Sequence, residues 1–178
     1  MNYTHPLIEK AKKFALESHK STNHFYDEYI DYEFHLRMVV KAGMDFLYLV
    51  PDEWKPIVIG GCWTHDTIED ARENYNSVKK ATEIRIAEIA RACTNLTRGR
   101  NRKERMPDWI YDDIRETLWA AFVKLCDRIA NVQYSKMTGS TMFQAYKDEH
   151  QHFKTMLKTE GYLTPMWEYL ENLFETKS

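Results

Sequence analysis

The chain has 178 residues, a formal net charge of −2 at pH 7 and 43% hydrophobic residues, enough for a core without disulfide support. We expect one domain over residues 1–178, which buries roughly 70% of the surface that the unfolded chain exposes. The charge gives no overall attraction for nucleic acid or anionic lipid. We also expect neither a membrane span, which needs about 20 apolar residues, nor a signal peptide.

Periodic apolar residues predict helices over residues 4–19, 32–46, 52–66, 76–93, 107–136, 142–158 and 164–174. The segments 20–26 and 97–105 lack this period and are predicted to be loops. No segment shows the alternation that is typical of a strand. The prediction is an all-α fold in the form of a single helical bundle.

Three cysteines, Cys62, Cys93 and Cys126, are far apart in predicted helices and have no paired spacing. Disulfide frameworks usually show such paired spacing. We therefore expect reduced thiols that fill the core of a cytoplasmic protein.

A functional site is expected at residues 65–70, where His65, Asp66, Glu69 and Asp70 follow an apolar run. Burial of an unpaired carboxylate costs several kcal/mol, so such groups are usually paired or bind a metal. If the third helix continues here, His65 and Glu69 share one face, and Asp66 and Asp70 share another.

The long helix predicted over residues 107–136 has two unlike faces. Its apolar stripe consists of Leu118, Phe122, Leu125, Ile129 and Val132. Lys124, Asp127 and Asn131 occupy positions i, i+3 and i+7 on another face. Because the intervening residues are small or apolar, we expect this polar face to form the wall of a cavity.

Two imidazoles and two carboxylates can be combined from these segments: His35, His65, Asp66 and Asp127. This set suits a divalent metal such as Mn, Fe, Co, Ni or Zn. Spacing alone leaves His35 open between a metal ligand and a hydrogen-bonded core histidine.

The sequence resembles the HD-domain metal-dependent phosphohydrolases, and within them the guanosine tetra- and pentaphosphate hydrolases of the RelA/SpoT type. Residues 65–70, His-Asp-Thr-Ile-Glu-Asp, resemble the His-Asp-x-x-Glu-Asp signature of that branch. Residues 122–131 resemble its Val-Lys-Leu-Ala-Asp-Lys/Arg-Leu-x-Asn segment. The similarity extends over most of the chain, from about residue 11 to residue 167.

The resemblance implies a metal site, usually for manganese, with the ligands His35, His65, Asp66 and Asp127. It places Glu69 and Asp70 beside a metal-activated water as proton acceptors, and Lys124 and Asn131 at the nucleotide. The bond broken in this branch joins the ribose 3′ oxygen to a pyrophosphate. The first hypothesis is therefore an alarmone 3′-pyrophosphohydrolase. Alternatives are an HD phosphohydrolase for a monophosphate, cyclic or modified nucleotide, and a non-catalytic module that binds a nucleotide or a protein.

The chain departs from this branch near the first ligand. Members usually have an arginine after the first helix and a Pro-Tyr-Ile-x-His-Pro motif, where this chain has Asp-Tyr-Glu-Phe-His-Leu at residues 31–36. The loop offers Lys20 instead, and lysine cannot copy the forked donors of arginine. The metal chemistry is still expected despite this departure, but the identity of the nucleotide is left open.

The loop over residues 97–105 carries five basic residues against one acidic residue. Arg98, Arg100 and Arg102 are candidates for clamping a polyphosphate, because guanidinium forks match phosphate oxygens in pairs. A solvated loop and a nucleic-acid patch are the other interpretations. The acidic balance of the chain disfavours nucleic acid.

Overall fold

The computed structural model describes residues 3–95, 107–157 and 163–175. Within these ranges the chain is helical apart from connections and one short hairpin, which confirms the predicted all-α class. The helices are α1 (Pro6–Ser21), α2 (Glu33–Asp45), α3 (Lys55–Thr64), α4 (Thr67–Asp70), α5 (Tyr75–Ala81), α6 (Ile84–Cys93), α7 (Ile110–Glu116), α8 (Ala120–Thr138), α9 (Met142–Leu157) and α10 (Thr164–Glu175). A 3₁₀ turn spans Leu47–Leu49, and strands β1 (Phe25–Tyr26) and β2 (Ile30–Asp31) form an antiparallel pair.

Helix α3 lies in the middle of the bundle and contacts α1, α2, α6 and α8. Its residues from Pro56 to Thr64 are all buried, as its continuous apolar composition predicts. Helix α6 approaches closely because Gly61 has no side chain: a Cβ there would lie 2.9 Å from Ile89 Cγ2. This packing brings the carboxyl end of α3, and with it His65, into the interior.

The third helix ends earlier than predicted. Helix α3 stops at Thr64, Asp66 adopts φ −120° and ψ 2°, and α4 begins at Thr67. The Thr67 hydroxyl donates to the Thr64 carbonyl at 2.9 Å, and such local bonds compete with the helical ladder. Residues 65–70 are therefore a turn followed by a short helix. The continuation of the third helix through these residues, which was considered above, does not occur.

Two other predicted helices are also divided. Residues 76–93 form α5 and α6, because the Glu83 side chain accepts the Arg85 N–H at 3.0 Å and caps a new helix. Residues 107–136 form α7 and α8, separated at Trp119, which has φ 67°. Leu118 lies in that break with 58% of its surface exposed, so its assignment to the apolar stripe is wrong.

The loop predicted over residues 20–26 contains the end of α1 and the first strand of the hairpin. Tyr26 pairs with Ile30 across a turn in which Asp27 and Glu28 have φ 49° and 67°. Asp tolerates this left-handed region better than most residues. Strands of two residues are too short to show alternation, which explains why the sequence did not indicate them.

The three cysteines are free and buried, as predicted. In the described ranges, every helix is too short or too polar to cross a bilayer.

Candidate metal centre

Three predicted ligands converge from three helices. His35 lies in the first turn of α2, His65 directly after α3, and Asp127 in the middle of α8. One nitrogen or oxygen of each lies within 4.8 Å of the others. Asp127 Oδ1 is 3.4 Å from His35 Nε2 and 3.7 Å from His65 Nε2. These gaps exceed the length of a normal hydrogen bond.

The two imidazoles present the same nitrogen, Nε2, to this cluster. His65 Nδ1 lies 3.1 Å from the Cys62 carbonyl, so it carries the donating proton and leaves the Nε2 lone pair directed at the cluster. His35 Nδ1 is buried and lacks a hydrogen-bond partner among the described residues. Two imidazole nitrogens and a carboxylate are donors that first-row divalent metals bind, so the residues fit a metal ion.

A proton competes with a metal ion for the Nε2 atom of His65. Burial alone lowers the pKa of the His65 imidazole, but the neighbouring Asp66 and Asp127 carboxylates raise it to about 9. Binding of a cation at Nε2 displaces this proton.

Asp66, the fourth predicted ligand, borders the cluster. Its Oδ2 lies 3.4 Å from His65 Nε2 and 3.9 Å from His35 Nε2. Oδ2 also accepts the Tyr32 hydroxyl at 2.5 Å, and Oδ1 lies 3.2 Å from His19 Nε2. Burial opposes ionisation, but His65 and His19 hold the pKa of Asp66 below its ordinary value. Both oxygens of this carboxylate are thus held by the protein.

Asp127 is surrounded by polar groups of its own helix. Its Oδ2 lies 3.2 Å from Lys124 Nζ, and its Oδ1 accepts the Asn131 side-chain amide at 2.5 Å. Burial opposes the charge, but Lys124 and the two histidines hold the pKa of Asp127 well below its ordinary value. Lys124 stays cationic in return, because Asp127, Cys93 and Glu69 raise its pKa against the effect of burial.

The cluster forms part of the wall of a cavity of about 270 Å³. The predicted polar face of α8 faces this cavity, as expected. The lining residues are Tyr26, Tyr32, His35, His65, Asp66, Glu69, Asp70, Cys93, Asn95, Lys124, Asp127, Arg128, Asn131 and Tyr146.

Two further acids, Glu69 and Asp70, stand at the exposed rim of the cavity. Glu69 Oε2 accepts the backbone N–H of Asn95 at 2.9 Å, and Asp70 Oδ2 lies 3.4 Å from the Tyr32 hydroxyl. Surrounding atoms raise the pKa of Glu69 by desolvation, partly offset by Lys124. Desolvation and the nearby Asp66 charge likewise raise the pKa of Asp70.

The remaining predicted substrate contacts are not part of this cavity as described. Lys20 is exposed in the last turn of α1 and lines a neighbouring pocket of about 500 Å³ together with His24. Arg98, Arg100 and Arg102 lie outside the described residues.

Several residues that contact the predicted ligands or line the cavity were not singled out from the sequence. Tyr32 could have been found, since it stands three residues before His35, as the tyrosine does in the Pro-Tyr-Ile-x-His-Pro motif. Tyr26 has no such signal, because it lies in a two-residue strand. Arg128 follows Asp127 directly, and its guanidinium lies 4.8 Å from the Tyr146 ring and 4.3 Å from the Phe153 ring.

A solved structure shares this fold. It is that of a metazoan ortholog of SpoT that hydrolyses ppGpp and plays a role in starvation responses. The match has a TM-score of 0.70 at 17% sequence identity, and it covers 98% of this chain and 97% of that chain. The similarity confirms the predicted HD-type helical bundle. No protein-family model and no curated protein sequence matches the chain.

Proposed function

We propose that this chain is a metal-dependent nucleotide phosphohydrolase that removes the 3′-pyrophosphate from alarmones such as guanosine tetraphosphate or pentaphosphate. The observation that carries the proposal is the convergence of His35, His65 and Asp127 in a cavity with Glu69 and Asp70 at its rim. A ppGpp-hydrolysing protein with the same fold supports the choice of substrate.

The proposed metal ligands are His35, His65, Asp66 and Asp127, and Mn²⁺ is the proposed ion. A bound divalent ion supplies a Lewis acid that makes hydroxide available near neutral pH. His65 and the ionised Asp127 are already oriented for this role, because the Cys62 carbonyl holds His65 Nδ1 and the Asn131 amide holds Asp127 Oδ1.

Glu69 and Asp70 are the proposed proton acceptors. A carboxyl group with a raised pKa is a stronger base than an ordinary one, and both groups have raised pKa values. The Asn95 N–H holds Glu69 at the cavity rim. Glu69 is therefore the first choice for accepting the proton of the attacking water.

Positive charge for the phosphate oxygens comes from Lys124, which lines the cavity and remains protonated. We further propose that Arg98, Arg100 and Arg102 clamp the pyrophosphate, since they follow the cavity residue Asn95 closely in the sequence.

One observation favours a second candidate, an HD-type hydrolase for a different nucleotide. The hairpin side contributes Tyr26 and Tyr32 to the cavity, and Lys20 lies outside it. This wall differs from the arginine-bearing loop of the branch that the sequence resembles. In this second candidate, the substrate is a monophosphate, cyclic or modified nucleotide.

Product analysis with added Mn²⁺ distinguishes the candidates. The panel contains guanosine tetraphosphate, its adenosine counterpart, 5′ and 3′ monophosphates and cyclic nucleotides. We expect pyrophosphate and a nucleoside 5′-diphosphate from guanosine tetraphosphate, and loss of this activity in Asp127→Asn. Turnover of other nucleotides alone contradicts the alarmone assignment. Metal binding without turnover of any member contradicts the enzymatic proposal and supports a binding module.

A further inference from the structure

Tyr26 of the hairpin is connected to the metal cluster through Asn131. The Tyr26 hydroxyl donates to Asn131 Oδ1 at 3.0 Å, across 105 positions of sequence. Asn131 Nδ2 donates to Asp127 Oδ1 at 2.5 Å and to the Asp127 carbonyl at 3.1 Å. Asp127 Oδ1 is the oxygen that faces the two histidines.

The orientation of the Asn131 amide follows from its neighbours. Its nitrogen can only donate and its oxygen can only accept. The opposite orientation would place two acceptors, Asn131 Oδ1 and Asp127 Oδ1, against each other. The hydroxyl of Tyr26 supports the productive orientation by donating to Asn131 Oδ1.

The ring of Tyr26 contacts a second proposed ligand directly. It stacks on the His35 imidazole with the centroids 4.9 Å apart and an angle of 17° between the planes. His35 Nδ1 lacks a hydrogen-bond partner among the described residues, so no such bond fixes the rotation of this imidazole. Packing against Tyr26 supplies this constraint.

We propose that Tyr26 is a positioning residue of the metal centre, which orients Asp127 through Asn131 and orients His35 by stacking. The inference rests on the proposed function only in treating the cluster as a metal centre. It also changes the expected role of Asn131. Both ends of its amide are engaged within the protein, so Asn131 acts on Asp127 in addition to lining the cavity.

The first test replaces Tyr26 by Phe, which removes the hydroxyl and keeps the ring. Co²⁺ serves as the probe, because its visible absorption spectrum reports the geometry of the ligands. Loss of a group that orients a ligand typically weakens metal binding by about 10- to 100-fold, and we expect about 10-fold for this indirect contact. We also expect a changed Co²⁺ spectrum.

Tyr134→Phe is the matched control. The Tyr134 ring packs against Tyr26, but its hydroxyl donates to Asp27. We expect a Co²⁺ affinity within about 2-fold of that of the wild type. The Co²⁺ spectrum should be unchanged. Equal effects of the two variants would contradict a specific role of Tyr26.

A double-mutant cycle tests the connection itself. If Tyr26 acts through Asn131, the double variant Tyr26→Phe/Asn131→Ala binds Co²⁺ within about 2-fold of Asn131→Ala alone. Independent losses that multiply, or an unchanged affinity of Tyr26→Phe, overturn the proposal. Should Tyr26→Phe fail to fold, Asn131→Asp keeps an acceptor for Tyr26 and removes the donor to Asp127. An unchanged Co²⁺ spectrum in this variant overturns the proposal as well.

These measurements separate the inference from the proposed function. Co²⁺ affinity and spectrum require no substrate, so a Tyr26-dependent site without nucleotide turnover removes the function and retains the positioning role. Turnover of an alarmone by a protein whose Co²⁺ site does not depend on Tyr26 retains the proposed function and removes the positioning role.

Discussion

The cavity has two sides that are built from different chemistry. The helical side, from α3, α4 and α8, carries charged groups and the predicted motifs, including His65, Lys124 and Asp127. The hairpin side carries aromatic and imidazole rings that stack on one another. The Tyr32 ring stacks on His19 with the ring centroids 4.2 Å apart and on His24 with the centroids 4.1 Å apart. Charge is thus concentrated on one side and packing on the other.

The two buried carboxylates show what this difference does. Asp127, on the helical side, faces the ammonium of Lys124 at 3.2 Å. Asp66 is held by the neutral hydroxyl of Tyr32 and by His19. The helical side therefore supplies the electrostatic stabilisation of the site. The hairpin side orients the groups without adding a permanent positive charge.

Asp127→Asn should have the largest effect, because it removes the carboxylate that is grouped with His35 and His65 in the described cluster. A metal ion contributes several kcal/mol to the transition state, so we expect turnover to fall by about 10³-fold or more. Divalent metal affinity, measured by titration, should fall with it. Asp113→Asn, which alters an exposed ion pair with Arg91, is the control. Retained turnover in Asp127→Asn contradicts the assigned role of the helical side.

Glu69→Gln separates proton transfer from metal binding on the same side of the cavity. We expect kcat to fall by about 10²-fold, because a general base contributes at least this factor. Metal affinity should stay unchanged, since Glu69 lies at the rim and outside the grouped ligands. A loss of metal affinity in this variant would show that Glu69 belongs to the metal site itself.

Proton competition at His65 predicts how the stability of the metal-free protein depends on pH. The folded pKa is raised from 6.5 to about 9, so this contribution to stability is complete below pH 6.5 and is lost as the pH rises toward 9. The change corresponds to about 3 kcal/mol. Denaturant unfolding in a chelator should show this decrease in the wild type and not in His65→Gln. Equal pH dependence of both proteins contradicts the prediction.

Tyr32→Phe tests the hairpin side and should have the smallest effect of the four. A buried hydrogen bond to a charged group contributes about 1.5–3 kcal/mol, and the Asp66 carboxylate retains its His19 contact. We expect a loss of unfolding free energy in this range. Tyr48→Phe, at a tyrosine that is 68% exposed, should change stability by less than about 0.5 kcal/mol. Similar stability of the two variants would indicate that Tyr32 does not support Asp66.

The difference between the two sides also explains what the sequence could predict. The helical side consists of segments with a clear apolar period and a dense motif, so the residues themselves indicate α3, the polar face of α8 and the acidic cluster at residues 65–70. The grouping of His35 with His65 and Asp127 is implied only by the family resemblance. The hairpin has two residues in each strand, and its turn depends on left-handed Asp27 and Glu28. Neither feature produces a periodic signal, and therefore Tyr26 and its contact with Asn131 were not predicted.

Breaks within helices are a second limit of periodicity. Trp119 adopts φ 67° although the flanking residues keep a helical pattern, and Leu118 becomes exposed as a result. Lys20 shows a related limit, because the continuation of α1 to Ser21 places it beside a different pocket. In each case the tertiary packing determines the local structure, and the spacing of residues in the sequence does not contain that information.

A crystal soaked in Mn²⁺ and measured for anomalous scattering at the manganese edge tests the central claim most directly. We predict a single strong peak between His35 Nε2, His65 Nε2 and Asp127 Oδ1, with Asp66 beside it, and its loss in Asp127→Asn. A folded protein with no peak at this cluster at millimolar Mn²⁺, or a peak that persists in Asp127→Asn, would contradict the account.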